Sequence, residues 1–509
     1  MKPSGFEVTI GTTSLSVYPG EESFSLLQPL LNLMTYEDEY VEETRTLGFI
    51  YDSKSDILHF HRGVDLNYLR RLLGDVSFKV REPHETENIK FNYEEIVSPR
   101  NNDQVDVIDF VSGNRGHANN IEANQLFLVK KPGFGKTYCS GVGLCKYGVK
   151  TLIITHRDSL RNQWMESLYN MCGMNERYVH EITRSEELYD IAHNQHGFDY
   201  DVYLITHARF RAGLKRIGDM NTAKNIGENL KIGLKIIDEA HLEFRNILLM
   251  DSVFNVKRNL YLTATDGRSN KDENSIFKHA FSNAVYYKPS SLLENNLPTK
   301  WVEYNSVEIN SYCKPYIYKF RVAGGRGMNP ATYGKWVIQY DKAKTHLKCC
   351  RDILKEIYER DDKAKVLIFM PLIELCEESA YYFTMELSYD ESFQFDLSIK
   401  TINSHNSKRE NDMNKRADVI VTTIGSCGTG TDIPGITDII SCSPFVSSIT
   451  AEQVFGRIRY CGKVCHYYDI YDVSVQMDRF WFKSRSRKLK QLALNVKERS
   501  WVDEDRGKE

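Results

Sequence analysis

The sequence predicts an α/β protein in which two tandem parallel-sheet domains follow a small N-terminal α+β domain. Short aliphatic and β-branched runs alternate with helical stretches from about residue 96, which is typical of buried parallel strands. The alternation pauses near residue 290 and resumes over 291–480, which indicates a second sheet. A length of 509 residues also exceeds what one hydrophobic core usually holds.

Residues 1–95 are predicted to form the small accessory domain. The runs TLGFIYD and DILHFHRG are β-type and are joined by the polar turn SKSD. Asp65 can cap a short helix through LNYLRRLL, and VSFKVRE has the pattern of a further strand. No residue spacing in this segment is typical of catalysis.

Each large domain has its own set of strand-like runs. Over 96–290 they are QLFLVK, TLIITH, DVYLITH, LKIIDEA and NLYLTAT, and over 291–480 they are KVLIFMP, FDLSIKTI, DVIVTTI, DIISCSP and YYDIYDV. The tail, 481–509, is predicted to begin as a basic helix and to end in a polar, acidic run. Its Arg485, Arg487 and Lys488 either contact phosphates or form a solvated helix face.

Net charge and cysteine spacing limit the kinds of binding site that the sequence can form. The net charge is −3, so a nucleic-acid site would be a local groove and not a property of the whole surface. Cys461, Cys465 and His466, and the pair Cys349 and Cys350, come nearest to a metal pattern, but no second pair lies at zinc-site spacing. We expect reduced thiols, no membrane partner, a monomer, and a cytoplasmic location, which is the host cytoplasm if the chain is viral.

The segment VKKPGFGKT follows a predicted strand and precedes a helical stretch. In this pattern glycines let the backbone wrap around phosphate oxygens, Lys136 supplies a cation to the β- and γ-phosphates, and the Thr137 hydroxyl can ligate Mg²⁺. Lys130 stands where the usual pattern begins with Gly. The predicted ATP-binding loop consists of Gly133, Phe134, Gly135, Lys136 and Thr137.

The run IIDEAH lies about a hundred residues after the loop. Two aliphatic residues followed by adjacent acids at the end of a strand suit a Mg²⁺–ATP site. Asp238 is predicted to hold the metal, and Glu239 to polarise the attacking water.

GFGKT, DEAH and YLTAT together resemble the superfamily-two helicases. The further segments TLIITHRDSLRNQW, DVYLITHARF, KVLIFMPLIELCEESA, ADVIVTTIGSCGTGTDIPGITDII and AEQVFGRIRY resemble the remaining family motifs, in the family's order, over about 96–480. The resemblance implies two RecA-like domains, ATP and Mg²⁺ as cofactors, and a nucleic-acid partner.

The resemblance also assigns roles in the second domain. It implies an ATP site shared by the two domains, with Arg457 as an arginine finger and Gln453 beside it. Gly430 and Asp432 match further nucleotide-site positions. The final motif arginine falls on Tyr460, so either Arg459 substitutes for it or Arg457 acts alone.

The resemblance also assigns expected roles in coupling, in adenine recognition and in nucleic-acid binding. Thr263 and Thr265 in YLTAT match the motif that couples hydrolysis to domain movement, although two threonines at the end of a buried strand would look the same. Gln104 matches the glutamine that reads adenine, and the alternative is a solvated helix residue. The expected nucleic-acid backbone contacts, on the face away from ATP, are His156, Arg157, Thr206, Arg209 and Thr423.

Within the superfamily, the segment THRDSLRNQW, which contains Gln163 and Trp164, resembles the corresponding motif of DNA translocases and repair helicases. LTATDGRSN resembles their L-T-A-T-P-x-R segment, with Asp266 in place of Pro and Arg268 retained. The length and the front domain resemble phage branch-migration helicases of the UvsW type, whose front domain helps to grip DNA. This implies an ATP-dependent DNA helicase that remodels forks, Holliday junctions or R-loops. An RNA helicase and a non-enzymatic nucleic-acid clamp are the alternatives.

Overall fold

The computed structural model describes residues 5–20, 24–38, 43–46, 48–74, 76–114, 124–130, 133–242, 244–264, 271–287, 301–313, 330–428, 433–445, 448–459 and 461–503. The chain divides into two compact units. The first comprises 1–38 and 43–290, and the second comprises 39–42 and 291–509.

The front of the first unit is a five-stranded mixed sheet, as far as the described residues show. In order across the sheet its strands are β5 (Phe49–Asp52), β6 (Ile57–His61), β2 (Ser14–Tyr18), β1 (Phe6–Ile10) and β7 (Val76–Val80). Only β1 and β7 pair in parallel. A separate ribbon joins β3 (Thr35–Asp38) to β4 (Glu43–Thr46), and the helices are α1 (Gln28–Leu33) and α2 (Leu66–Leu73).

The hairpin and the capped helix predicted for this segment are both present. Asp65 caps α2 by accepting a hydrogen bond of 2.8 Å from the backbone N–H of Asn67. Strands β1 and β2 were not predicted, because their runs FEVTI and SLSVY alternate polar and apolar residues over only five positions.

The N-terminal sheet packs directly on the α/β domain that follows it. Asn255 accepts a hydrogen bond of 2.9 Å from the Thr12 backbone N–H and donates to the carbonyl of Arg81 at 2.9 Å. The His61 ring stacks on Phe244 with 4.6 Å between centroids. At Gly63 an added Cβ would lie 1.9 Å from the carbonyl oxygen of His279, so only glycine allows this approach. The two domains therefore share one continuous core.

The α/β domain of the first unit has a wholly parallel sheet across its described strands. The order is β10 (Val179–Glu181), β11 (Val202–Thr206), β9 (Thr151–Thr155), β12 (Leu234–Ile237), β13 (Arg258–Thr263), β8 (Gln125–Val129) and β14 (Val285–Tyr286). Its helices are α3 (Asn102–Ser112), α4 (Lys136–Tyr147), α5 (Asp158–Asn170), α6 (Ser185–Ala192), α7 (His207–Ile217), α8 (Met220–Ala223), α9 (Asn225–Asn229), α10 (Phe244–Val253) and α11 (Lys271–Ala280). The predicted strand runs of this domain are all strands.

The second unit repeats this architecture. Its sheet, parallel throughout the described part, runs β17 (Ile399–Ile402), β18 (Val419–Thr423), β16 (Val366–Met370), β19 (Asp438–Ser441), β20 (Cys465–Asp472), β15 (Val302–Ile309) and β21 (Asn495–Ser500). Its helices are α12 (Pro330–Tyr340), α13 (Thr345–Arg360), α14 (Ile373–Ser388), α15 (Lys408–Asn414), α16 (Ser448–Phe455) and α17 (Gln476–Leu492). A π-helical turn at Ile424–Gly428 follows β18.

The tail was predicted as a separate segment, 481–509, but it is an integral part of the second unit. Helix α17 begins at Gln476, before the predicted boundary, and the chain then forms β21, which pairs in parallel with β15. Arg485 is fully buried and forms ion pairs with Asp469 at 2.9 Å and Asp478 at 3.3 Å. Neither of the two alternatives considered for Arg485, a phosphate contact or a solvated face, describes its position. A basic run therefore conceals one core residue.

Two further features bear on the sequence expectations. None of the helices in the described ranges is both long enough and apolar enough to cross a bilayer. The cysteines, including Cys461 and Cys465, are free, and no group of three or more metal-ligating side chains was found within the described ranges.

Candidate functional site

The site residues of the first unit lie at one edge of its sheet. Strands β8, β13 and β12 are neighbours, and their registers pair Val129 with Thr263 and Ile237 with Tyr261. Because these strands are parallel, their carboxyl ends meet at the same edge, where ligands bind in open α/β sheets. The loop after β8 carries Lys136, and Asp238 follows β12 directly.

The loop between β8 and α4 has the backbone of a phosphate cradle. Gly133 and Gly135 have φ angles of 79° and 98°, which non-glycine residues rarely adopt. Lys136 is the first residue of α4, so the exposed N–H groups of that helix start point out of the loop. The Lys136 ammonium group donates a hydrogen bond of 2.9 Å to the backbone carbonyl of Lys130. Residues 131 and 132 lie outside the described residues.

Lys130 departs from the usual loop pattern, and its side chain contacts one acidic residue and two aromatic rings. Its side chain is buried and forms an ion pair with Asp103. Its ammonium group also lies 4.6 Å from the ring centroid of Phe134 and 5.0 Å from that of Tyr287, within the range of cation–π attraction. The Tyr287 hydroxyl donates to the other Asp103 oxygen at 2.7 Å. The long cation thus anchors the loop to α3.

Gln104 also lies against the loop. Its amide nitrogen donates to the carbonyl of Phe134 at 2.6 Å, and its amide oxygen accepts from the Arg100 backbone N–H at 2.8 Å. The side chain is buried, so the alternative of a solvated helix residue does not describe it. An added Cβ at Gly135 would lie 2.7 Å from the Gln104 amide nitrogen, which explains the second glycine of the loop.

Asp238 is buried and held at both carboxylate oxygens. The Trp164 indole N–H donates to Oδ2 at 2.8 Å, and the Glu239 backbone N–H donates to Oδ1 at 2.9 Å. Burial, and then the neighbouring charge of Glu239, raise the pKa of Asp238 to about 6, against the opposing effects of Trp164 and Lys136. A cation placed here would oppose that rise, since it favours the ionised carboxylate.

Glu239 has a φ angle of 52°, in the left-handed region that costs a non-glycine residue about 1–2 kcal/mol. Its carboxylate Oε2 lies 3.3 Å from Nδ1 of the buried His241. The same His241 nitrogen lies 3.0 Å from the hydroxyl of Thr263 at the end of β13. A polar chain therefore runs from Glu239 through His241 to Thr263, and Thr265 lies outside the described residues.

The nucleic-acid candidates of the first unit lie along the same carboxyl edge. His156 and Arg157 follow β9, and Thr206 ends β11, the next strand. Like the phosphate loop, these residues therefore lie at the carboxyl ends of the strands, displaced sideways across the sheet. Thr206 is buried and its hydroxyl caps α7 by accepting from the Arg209 N–H at 3.4 Å, whereas Arg209 itself is exposed.

The candidates of the second unit lie on β18, on α16 and just after that helix. Thr423 ends β18, with its hydroxyl 3.0 Å from that of Ser426. Gln453 is buried in α16, while Arg457 is half-buried and Arg459 is exposed in the turn that follows. Gly430, Asp432 and Tyr460 lie outside the described residues.

Sequence reasoning missed the side chains that support the loop and the acidic pair: Trp164, His241, Asp103 and Tyr287. Trp164 and His241 stood inside quoted motifs but had no assigned role, because their partners are 74 and 22 residues away along the chain. Asp103, directly before Gln104, was the one local signal, since an acid there can meet Lys130.

Comparison with known proteins gives two kinds of match. The family model of the type III restriction enzyme, res subunit, matches residues 94–268. A relative from Haloarcula marismortui (strain ATCC 43049 / DSM 3752 / JCM 8966 / VKM B-1809), which carries the name DNA 3'-5' helicase Rad25, is 26% identical over 150 residues. That match spans 30% of this chain and 21% of the relative's length.

Solved structures share the fold across most of the chain. The S. cerevisiae protein Dbp5, bound to RNA and ADP BeF3, has a TM-score of 0.50 at 11% identity, covering 80% of this chain and 90% of that one. The DEAD-box helicase Mss116, bound to ssRNA and UDP-BeF, has a TM-score of 0.52 at 15% identity, covering 79% of this chain and 75% of that one. These matches confirm the predicted fold class of two RecA-like parallel-sheet domains behind a small N-terminal mixed sheet. In fold, in motif order and in the match over residues 94–268, the chain is similar to superfamily-two helicase cores.

Proposed function

We propose that the chain is an ATP-dependent DNA helicase or translocase that remodels forked or branched DNA. The observation that carries the proposal is the convergence of Lys136, Asp238 and Glu239 at the carboxyl ends of neighbouring parallel strands. A cationic loop beside an acidic pair at this edge is what nucleoside-triphosphate hydrolysis requires.

The residues fit ATP and Mg²⁺. The positive φ angles of Gly133 and Gly135 open the backbone for close approach to phosphates. The Asp238 carboxylate, with its raised pKa, gains from a nearby divalent cation, and Thr137 lies next to Lys136 at the helix start. Mg²⁺, when bound, supplies positive charge at the β- and γ-phosphate oxygens.

The chain's own residues divide the remaining work. Lys136 exchanges its hydrogen bond to the Lys130 carbonyl for one to a phosphate oxygen, because the ammonium group is the loop's own cation. Glu239 orients water and accepts its proton through Oε1 or Oε2. Since Oε2 also contacts His241, a change at the γ-phosphate reaches Thr263 and β13 through two short contacts.

The choice of DNA rests on sequence features and on one relative. The Gln163–Trp164 form and the retained Arg268 are those of DNA translocases, and the name of the Haloarcula relative denotes a 3'-5' DNA helicase. The front domain, joined to the first RecA-like domain, supports a grip on duplex or forked DNA of the UvsW kind. Branch migration at forks, Holliday junctions or R-loops is the corresponding role.

One set of ATPase assays tests the proposal. We expect turnover to rise with single-stranded, forked or duplex DNA, and to rise much less with RNA. Lys136→Ala is expected to abolish nearly all turnover, and Glu239→Gln to lower it by roughly 10²–10⁴ while ATP still binds. If RNA alone stimulates ATP turnover, the chain is an RNA helicase and the proposal of a DNA helicase is wrong. Wild-type turnover in Lys136→Ala would contradict an ATP site at this loop.

A further inference from the structure

Helix α17 has two faces with different chemistry. One face is buried in the second unit and includes Asp478, Trp481, Arg485 and Leu489, which recur at helical spacing. The opposite face is exposed. Its side chains are those of Gln476, Arg479, Phe480, Lys483, Ser484, Arg487, Lys490 and Gln491.

The basic residues of α17 separate into three classes. Arg485 is paired inside the core, as described above. Lys488 pairs with Glu452 at 2.5 Å, and Lys490 pairs with Glu498. The remaining three, Arg479, Lys483 and Arg487, have no carboxylate within 4 Å anywhere in the described part of the chain. They follow one another at intervals of four residues, about 6 Å along the helix, and we call them the α17 stripe.

Exposed aromatic rings accompany the stripe. Phe480 lies on the same face and is 64% exposed. Beyond the start of the helix, Tyr312 is 66% exposed, and it lines a cavity of about 470 Å³ together with Arg479. The other residues that line the cavity are Asn310, Val473, Ser474 and Gln476. Exposed rings beside cations suit a partner that offers both flat rings and negative charge.

We propose that the α17 stripe, with Phe480 and Tyr312, binds a single-stranded nucleic acid. The proposal deepens the proposed function and rests on it. Phosphates contact Arg479, Lys483 and Arg487, while bases stack on the exposed rings. The cavity beside Tyr312 lies within the roughly 300–1,000 Å³ of small-ligand pockets, so it has room for an unstacked base.

Charge complementarity selects this occupant over the alternatives. An acidic peptide would satisfy the cations but has no need of the exposed rings of Phe480 and Tyr312. An anionic membrane surface would require a broad apolar face, whereas the exposed face of α17 offers Phe480 among polar and charged side chains. Contacts to phosphates and ring faces read no base edges, so binding through the stripe is independent of sequence.

The test uses the full chain and a fluorescein-labelled oligothymidylate, whose binding is titrated at several salt concentrations. In the variant Arg479→Gln/Lys483→Gln/Arg487→Gln, we expect affinity to fall about tenfold or more. The slope of log affinity against log salt should become less steep by about 2, because each lost phosphate contact on a single strand contributes about 0.7.

The matched control removes the same charge elsewhere in the second unit, with Lys363→Gln/Lys400→Gln/Arg416→Gln, all exposed and away from α17. It should retain wild-type affinity and slope. Equal loss in the control, or no loss in the stripe variant, would overturn the proposal. Phe480→Ala separates the two kinds of contact, since affinity should fall about fivefold or more with an unchanged salt slope. An unchanged affinity in Phe480→Ala would contradict the proposed stacking of bases on Phe480.

ATP turnover without nucleic acid distinguishes this proposal from the one on which it rests. We expect the stripe variant to keep that basal rate, because none of its three residues belongs to the first unit. If the wild-type chain hydrolyses ATP and binds the oligothymidylate while the stripe variant does so equally well, only the stripe fails. If the wild type neither hydrolyses ATP nor binds, the proposed function fails as well.

Discussion

The indole N–H of Trp164 donates a hydrogen bond of 2.8 Å to Asp238, and both side chains are buried. The bond joins helix α5 to the residue after β12, 74 positions along the chain. It fixes one carboxylate oxygen while the backbone N–H of Glu239 fixes the other. The metal-binding acid of the proposed site is therefore oriented before any ligand arrives.

Trp164→Phe tests this orientation, because it keeps an aromatic ring and removes the donor. We expect the variant to lose about 1.5–3 kcal/mol of unfolding free energy, the contribution of a hydrogen bond to a charged group. The Mg²⁺ concentration for half-maximal ATP turnover should rise. Tyr169→Phe, on the same helix, is the control and should leave the Mg²⁺ dependence unchanged. An identical Mg²⁺ dependence in wild type and Trp164→Phe would argue against the role.

Glu239 combines a left-handed backbone with its proposed catalytic role, and two substitutions separate these two properties. Both Glu239→Ala and Glu239→Gly should lower ATP turnover by roughly 10²–10⁴, since each removes the carboxylate. The glycine variant should be more stable than the alanine variant by about 1 kcal/mol, because glycine adopts a φ of 52° without steric cost. Denaturant unfolding of the pair measures the difference. A more stable alanine variant would show that the backbone relaxes at this position.

Arg485 and Arg487 lie two positions apart on α17 and should behave very differently in unfolding experiments. Arg485→Ala leaves Asp469 and Asp478 buried without their cation, so we expect a loss of about 3–5 kcal/mol. Arg487→Ala changes an exposed side chain and should stay within about 0.5 kcal/mol of wild type. Equal stability of the two variants would contradict the buried ion pair.

His346 gives the second unit a pH-dependent contribution to stability. Burial would lower its pKa, but the hydrogen bond of 2.8 Å and the charge of Asp341 raise the pKa of His346 to about 9. Burial would raise the pKa of Asp341, yet His346 holds it at about 2. The ionised pair therefore stabilises fully between about pH 4 and 6.5, and the stabilisation is lost as pH rises through 9 or falls through 2.

The stability difference between wild type and His346→Gln measures this contribution. We expect the difference to be largest near pH 6 and to shrink steadily toward pH 9.5. Tyr333→Phe, which removes the other hydrogen-bond partner of the His346 ring, is the matched control and should show a weaker dependence on pH. A difference that grows with pH would contradict a protonated His346.

The fold was predictable because buried parallel strands leave a strong local signal. The runs that became β8, β9, β11, β12 and β13 are apolar on both faces, since helices cover both sides of the sheet. Strand β21 was not predictable from composition: its residues NVKERS are all exposed, and only pairing with β15 makes them a strand. Local sequence patterns indicate which strands are buried. They do not indicate which strand an exposed edge strand will pair with.

In the candidate site, too, some features could be predicted from local sequence and others depend on distant parts of the chain. The convergence of Lys136, Asp238 and Glu239 could be predicted because the chemistry of phosphate binding restricts residue type and spacing. The ion pair of Lys130 with Asp103 and the contact of His241 with Thr263 could not, since each depends on which strands become neighbours. Thr206 was a predicted nucleic-acid contact, and its motif did not show that its hydroxyl caps α7.

The shared core of the N-terminal sheet and the first RecA-like domain has a consequence for how the chain unfolds. Lys235 and Asp251, paired at 2.5 Å with no solvent exposure, lie close to the buried His61 of the front sheet. Cutting the chain near residue 95 would admit water to this pair and to the apolar wall around it. The three large sheets should therefore melt in two cooperative transitions, and a shortened protein without its front sheet would be an unstable molecule and not a minimal motor.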